Sequence, residues 1–130
     1  MISSGAFNYI NVLESVADAS WTRNSVISNN IANADTPGYK RKDVDFQSCL
    51  ERELCGGRSL DDEVANADLE LLSGSTYTDY STVSYRLDGN NVDIDTENSY
   101  LAQNQIKYYT VLDSISQEFS RLSSVLKSGS

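Results

Sequence analysis

Apolar residues recur at spacings of three and four along the first quarter of the chain, as in an amphipathic helix. A second stripe with the same spacing lies beside the first, so the apolar face is broad. The pattern predicts a helix over about residues 5–33, roughly 40 Å long at ~1.5 Å per residue. The first stripe consists of Ile10, Leu13, Ala17, Ser20, Asn24, Ile27 and Ile31, and the second of Tyr9, Val12, Val16, Ala19, Val26 and Asn30.

The last quarter of the chain repeats this design and predicts a second helix over about residues 96–127. Asp95 or Thr96 suits its N-cap, and Gly129 follows its end. Its stripe alternates strictly by four and three and consists of Leu101, Gln105, Tyr108, Leu112, Ile115, Phe119, Leu122 and Leu126. The stripe is widened by Tyr108, Val111, Ile115, Leu122 and Val125. The fold is therefore predicted to be mainly α, with two long terminal helices packing as a coiled-coil-like pair in a single domain over residues 1–130.

Polar residues interrupt both stripes, at Ser20 and Asn24 in the first helix and at Gln105 in the second. Such residues weaken a helix pair but fix its register and the number of partners. The simplest interpretation is an antiparallel hairpin of the two helices alone. The presence of two stripes per helix favours contact with more than one neighbour.

The middle of the chain, about residues 34–94, lacks such a pattern and is predicted to be irregular. Residues 56–68 are poor in apolar side chains, which is typical of loops, turns and disorder. Residues 83–87 alternate like a strand, Val92 and Ile94 suit a partner strand, and Asp88-Gly89-Asn90-Asn91 suits the turn between them. We therefore expect a small β-hairpin over residues 83–94 and no separate middle domain.

Charge and composition exclude several classes of function. The net charge is −9, and the one basic run, Lys40-Arg41-Lys42, is short, which argues against binding nucleic acid or anionic membranes. No apolar run is long enough to cross a bilayer, so no direct membrane insertion is expected. The first residues lack the features of a conventional secretory signal, which by itself indicates a cytoplasmic protein.

Candidate chemistry is sparse. The chain has no histidine, which excludes histidine-based nucleophile triads, and its carboxylates near residues 88–97 lack the spacing of a calcium loop. Cys49 and Cys55 do not form a metal or redox motif; they are interpreted as unpaired thiols in a poorly ordered stretch, with a local disulfide open in an oxidising compartment. We predict no catalytic, cofactor-binding or metal-binding residues, and therefore not an enzyme.

The run Asn29-Asn30-Ile31-Ala32-Asn33-Ala34-Asp35-Thr36-Pro37-Gly38-Tyr39 closes the first helix and contains the only proline. Pro37 lacks a backbone donor and moves Thr36 out of the helical region. Gly38 can adopt a positive φ, so Pro37-Gly38 suits the centre of a type II turn. The run resembles the signature of the bacterial flagellar rod and hook protein family.

Two further segments support this resemblance, and they favour the proximal rod proteins within that family. One is Tyr39-Lys40-Arg41-Lys42-Asp43-Val44-Asp45-Phe46, and the other is Leu87-Asp88-Gly89-Asn90-Asn91-Val92-Asp93-Ile94-Asp95-Thr96-Glu97 before the second helix. The resemblance implies a structural subunit of the flagellar basal-body rod, assembled helically around the export channel, that helps to transmit torque from the MS ring to the distal rod and hook.

The resemblance also implies partners, a location and residues for assembly. The partners are further copies of the chain, the rod proteins FlgC, FlgF and the distal-rod FlgG family, the junction protein FliE and the flagellar type III export apparatus. The location is the rod in the periplasmic space, reached without a cleaved signal peptide. The assembly residues are expected to be Ile10, Leu13, Val16, Ala17, Ile27, Asn30, Ile31, Asn33, Thr36, Pro37, Gly38, Tyr39, Leu101, Gln105, Tyr108, Leu112, Ile115, Phe119, Leu122 and Leu126.

Two other classes of function stay open at this point. One is a helical-hairpin adaptor or export chaperone, and the other is a small enzyme of unknown type. An adaptor has no need of the Thr36-Pro37-Gly38-Tyr39 turn, and the absence of histidine disfavours an enzyme.

Overall fold

Two long antiparallel helices form the frame of the molecule. The computed structural model describes residues 2–81 and 86–129. The first helix, α1, spans Ile2–Ala32, and the last, α5, spans Ile94–Ser128. Near its middle α1 contacts α5 through Ser20 and Asn104, and nearer its C-terminus through Asn30 and Glu97. The predicted mainly α fold with a packed pair of terminal helices is confirmed.

The elements between the two long helices are short. In chain order they are β1 (Lys42–Asp45), α2 (Gln47–Leu54), α3 (Leu60–Asn66), α4 (Leu69–Leu72) and β2 (Ser75–Thr78). None of the described helices has both the length and the apolar character that a membrane span requires.

Both stripes of α1 find partners within the same chain. The stripe that contains Ser20 faces α5, while Val16 and Ala19 of the other stripe pack against Val44 and Phe46. Further toward the N-terminus of α1, residue Val12 packs against the short helices α3 and α4. The second neighbour of α1 is therefore the middle segment.

The start of α5 lies slightly before its predicted position. Its N-cap is Asp93, whose carboxylate accepts from the backbone N–H groups of Asp95 and Thr96. An acidic N-cap satisfies backbone donors at the helix start and interacts favourably with the helix dipole. The prediction that Asp95 or Thr96 caps the helix was wrong.

The small sheet is present, but it does not lie where the sequence pattern put it. β1 pairs antiparallel with β2, with Lys42 opposite Thr78 and Asp45 opposite Ser75. Ile94 is the first residue of α5, and Val92 lies in the loop before it, so neither forms the predicted partner strand. Residues 82–85, which cover most of the other predicted strand, lie outside the described residues.

The middle segment is more ordered than its composition predicts. Ser59 caps α3 by accepting from the backbone N–H of Asp62, and Asp68 caps α4. Val64 and Leu72 are buried and pack with Val12 of α1. The prediction of loop and disorder over residues 56–68 was wrong, because local caps and two apolar anchors suffice to hold short helices against α1.

The two cysteines lie in and directly after α2. Cys49 is buried within the helix, Cys55 is exposed at its C-terminal end, and both are free thiols. Because α2 is a regular helix, the expectation of a poorly ordered stretch around them was wrong.

Candidate assembly surface and its polar junction

A buried asparagine joins the end of α1 to both β1 and α5. The amide nitrogen of Asn30 donates to the carbonyl of Lys42 at 2.7 Å and to Glu97 Oε2 at 3.0 Å. Its amide oxygen accepts from the backbone N–H of Lys42 at 2.9 Å and from the Tyr39 hydroxyl at 3.0 Å. The Asn30 side chain is fully buried, so leaving its amide group unpaired would be costly, and its bond to Glu97 lies in the interior.

Arg41 extends this junction into an ion-pair network. Its guanidinium contacts Glu97 at 2.5 Å, Asp43 at 3.1 Å and Asp79 at 3.4 Å. Burial disfavours the charged guanidinium, but the hydrogen bonds and charges of Glu97 and Asp43 outweigh this and raise the pKa of Arg41. The arginine therefore ties α5, β1 and the segment after β2 together.

Arg23 adds a second cation to the same network. It pairs with Asp43 at 2.7 Å, and both Arg23 and Arg41 lie over the ring of Tyr100, 5.6 and 5.5 Å from its centroid. Burial by itself would raise the pKa of Asp43, but hydrogen bonds from Arg23 and from the Val44 N–H dominate and lower it. The Asp43 carboxylate is therefore held in its charged form.

The predicted turn after α1 is present and is tied to the loop before α5. Gly38 has a φ of +72°, as its place in a type II turn requires, and the Tyr39 N–H donates to the Thr36 carbonyl at 3.2 Å. The Gly38 N–H also donates to the carbonyl of Asp88 at 2.8 Å.

Asn90, in that loop, binds the turn that follows α1. Its amide nitrogen lies 2.9 Å from the carbonyl oxygens of Asn33 and Thr36 and 3.0 Å from that of Ala34. These carbonyls lie in the turn after α1, which ends at Ala32, and Asn90 supplies a side-chain donor to them. Two of the three sequence segments that carry the family resemblance, residues 29–39 and 87–97, thus contact each other directly.

The face of α5 that packs against the rest of the chain follows a strict four-three alternation, which we call the inner seam. All of its members are buried or partly buried: Glu97, Leu101, Asn104, Tyr108, Val111, Ile115, Glu118 and Leu122.

A second line with the same alternation runs beside the inner seam, shifted by one residue, and we call it the outer seam. It contains no charged residue, and all of its members are exposed: Gln105, Tyr109, Leu112, Ser116, Phe119, Ser123 and Leu126. Tyr109 is 67% exposed and Phe119 50%, which is unusual for aromatic side chains in a regular line. The predicted stripe from Leu101 to Leu126 therefore divides between a covered and an uncovered line.

The predicted assembly residues fall into three groups in the structure. Buried within the chain are Ile10, Val16, Ala17, Ile27 and Asn30. Partly buried are Leu13, Ile31, Asn33, Tyr39, Leu101, Tyr108, Ile115 and Leu122; exposed are Thr36, Pro37, Gly38, Gln105, Leu112, Phe119 and Leu126. The buried group supports the fold of the single chain, and a role of any of these residues in assembly stays a prediction.

Sequence reasoning missed the central position of Arg41 and of Asn90. Arg41 had been considered only as part of a short basic run, and Asn90 only as part of a hairpin turn. One signal was available, since the carbonyls at the end of α1 need donors and asparagine is a frequent donor in such loops. The pairing of Arg41 with Glu97 joins positions 56 residues apart and has no local signal.

Comparisons with known proteins now identify the class. The model of a family described as flagella basal body rod protein matches residues 10–40, which cover most of α1 and the turn after it. The rod protein FlgB of Bacillus subtilis is 38% identical over 122 residues, covering 90% of this chain and 92% of that protein. FlgB of Escherichia coli is 34% identical, covering 82% and 84%, and FlgB of Borreliella burgdorferi is 37% identical, covering 81% and 85%.

The chain belongs to the FlgB family of flagellar basal body rod proteins. Membership of this family makes the chain a structural component of the flagellar basal body. It also favours a rod subunit over the adaptor, chaperone or enzyme that the sequence alone had left open.

Proposed function

We propose that the chain is a non-catalytic subunit of the proximal rod and that the outer seam of α5 contacts neighbouring subunits. The observation that carries this proposal is the unbroken, uncharged outer seam beside an inner seam that the chain itself already covers. A chain of net charge −9 repels copies of itself over most of its surface, and an uncharged line avoids that repulsion.

The relative position of the two seams supports a tubular assembly. One residue along an α-helix corresponds to a rotation of about 100°, so the outer seam faces nearly at right angles to the inner one. A helix from a neighbouring subunit that packed there would not compete with α1. Contacts of this heterologous kind need not close on themselves and generate open helical assemblies.

The finer aspects of this function belong to the same proposal, and membership of the family supports them. The subunit assembles around the export channel and helps to transmit torque from the MS ring to the distal rod and hook. Its partners are further copies of itself, FlgC, FlgF, the FlgG family, FliE and the type III export apparatus. It reaches the rod, in the periplasmic space, without a cleaved signal peptide.

The experiment that tests the proposal is complementation. A strain of the source bacterium that lacks the chromosomal gene receives a gene for the chain with two outer-seam residues replaced. In the double variant Phe119→Ser/Leu126→Ser we expect normal levels of soluble protein, loss of swimming and absence of the chain from isolated basal bodies. A matched control is Leu60→Ser/Leu71→Ser, which removes two exposed apolar side chains from α3 and α4. It should swim and incorporate normally.

Unfolding of the purified variants separates assembly from folding. Both double variants change exposed positions, so each substitution should alter the free energy of unfolding by only about 0.5 kcal/mol. Normal incorporation of the Phe119→Ser/Leu126→Ser chain into basal bodies would refute the proposed role of the outer seam.

A further inference from the structure

An aromatic groove runs along the edge between α1 and α5 and is open to solvent. Its centre is formed by Trp21, which is 59% exposed, and by Tyr108, with their ring centroids 5.7 Å apart. Tyr109 extends the aromatic surface, at 5.8 Å from Tyr108. Neighbouring rings in this group of three lie less than 6 Å apart, and a ring face is the electron-rich part of an aromatic side chain.

At one end of the groove, these rings enclose a cavity of about 110 Å³ together with Asn24 and Gln105. The side-chain oxygen of Asn24 is buried and has no hydrogen-bond partner among the described residues. A buried acceptor without a donor costs free energy, so the site is incomplete as it stands. A cavity of this size has room for about three to four water molecules, at roughly 30 Å³ each, and therefore for a small planar group.

At the other end, the groove carries negative charge. Glu14 and Asp18, one turn apart on α1, line it together with Trp21, Tyr108 and Leu112. Both carboxylates are exposed, and within residues 2–81 and 86–129 neither forms an ion pair. The nearby cations Arg23 and Lys107 line a different cleft, with Asp43 and Tyr100.

From this combination we infer that the groove binds an arginine side chain presented by a helix of a partner protein. A guanidinium has four heavy atoms, stacks on aromatic rings and donates hydrogen bonds, so it fits the cavity, the three rings and the unpaired Asn24 oxygen together. Glu14 and Asp18 attract it, and exposed Leu112 suits an apolar neighbour on the same helix. The chain itself uses tyrosine in this way, since Arg23 and Arg41 both lie over Tyr100.

This inference deepens the proposed function, because it names the chemistry of one partner on the α5 face, but its test uses the isolated chain. Trp21 is the only tryptophan and therefore reports directly on the groove by fluorescence. The probe is a capped helical peptide with one arginine flanked by leucines at spacings of three and four. Its twin carries citrulline, which keeps the planar shape but has no charge and replaces one N–H2 group with a carbonyl oxygen.

We expect the arginine peptide to change Trp21 fluorescence saturably and to bind about tenfold more tightly than the citrulline peptide. Asn24→Leu and Asp18→Asn should each weaken binding about threefold to tenfold, and added salt should weaken it further. Glu51→Gln removes an exposed carboxylate of α2 that does not line the groove, and it should leave binding unchanged. Circular dichroism confirms that each variant is folded.

Three outcomes would overturn the inference. The first is equal affinity for the two peptides, and the second is the lack of a saturable change in Trp21 fluorescence at millimolar arginine peptide. The third is a fluorescence change that depends only on the concentration of the chain, which would assign the groove to a second copy. Asn24 and Asp18 lie outside the outer seam. A negative result in the peptide-binding test therefore does not affect the motility test with Phe119 and Leu126, and a negative motility test does not affect the inference about the groove.

Discussion

Asn30 and Glu97 lie 67 positions apart in the chain and share a 3.0 Å hydrogen bond in the interior. Asn30 ends the stripe of α1, and Glu97 lies in the first turn of α5. This pair and Arg41 fix the two antiparallel helices in one register where the C-terminal end of α1 lies beside the start of α5. A buried polar contact of this kind specifies one alignment, because a shifted register would leave its partners unpaired.

We predict that Asn30→Ala lowers the free energy of unfolding by about 2–4 kcal/mol, because it removes both side-chain partners of the Lys42 backbone and the donor to Glu97 Oε2, while Arg41 still pairs with Oε1. Urea unfolding followed by circular dichroism measures this change. Asn98→Ala, at an exposed position of the same helix turn as Glu97, should change stability by less than about 0.5 kcal/mol. Equal effects of the two substitutions would show that the junction does not stabilise the fold.

Two glycines should respond to alanine in opposite directions. Gly38 has a φ of +72°, and a Cβ there would meet no other atom, so Gly38→Ala should cost about 1–2 kcal/mol through backbone conformation alone. Gly5 lies within α1 with open space around it, so Gly5→Ala should stabilise the chain by roughly 0.5–1 kcal/mol. Thermal unfolding of both variants tests this, and destabilisation by Gly5→Ala would contradict the helical assignment of the N-terminus.

The network around Asp43 should make stability depend on pH in the acid range. The pKa of Asp43 is lowered in the folded chain from its ordinary value of 3.8. Its contribution to folding stability is therefore complete well above pH 3.8, and it is lost as the pH falls through the pKa of the folded chain. We therefore expect the urea concentration at the midpoint of unfolding to decrease as the pH is lowered below about 5. This decrease should be less steep in Asp43→Asn. Asp113→Asn is the control, because it makes the same change of charge outside the network. An equally steep pH dependence in Asp43→Asn and in the unaltered chain would contradict this assignment.

Two isoleucines of the same α1 stripe should differ in their effect on folding. Ile27 is fully buried, whereas Ile31 is only partly buried. Ile27→Asp should destabilise the chain by more than about 4 kcal/mol and abolish soluble expression, since an isolated buried charge is severely unfavourable. Ile31→Asp should leave a folded protein. The yield of soluble protein and its circular dichroism spectrum distinguish the two, and a folded Ile27→Asp chain would contradict the packing described here.

The long helices were predictable from sequence because their stabilising contacts repeat every three to four residues. The predicted limits, about 5–33 and 96–127, differ from those of α1 and α5 by one to three residues. The periodicity does not predict which residues of a stripe are covered by the rest of the chain. In α5 the covered line is set by the position of α1, so Tyr108 and Leu112 of one predicted stripe have different surroundings.

The sheet was misplaced because its pairing is distant in sequence and its strands are polar. Ser75–Thr78 contains no aliphatic alternation, and its partner Lys42–Asp45 buries Val44 but also Asp43, held by Arg23 and Arg41. Of the turn-like residues, Asp88 and Asn90 instead bind the turn that follows α1. For α3, by contrast, a local signal existed in Ser59 and Asp62, which match a helix N-cap pattern.

The most direct test of the outer seam as a subunit contact is hydroxyl-radical footprinting of the unaltered chain, free and in isolated basal bodies. Oxidation of Tyr109, Phe119 and Leu126, read by mass spectrometry, should fall at least about fivefold on assembly, because the core of an interface excludes solvent. Val111 of the inner seam should be weakly oxidised in both states. Equal oxidation of Phe119 and Leu126 in the free and assembled chain would contradict the account.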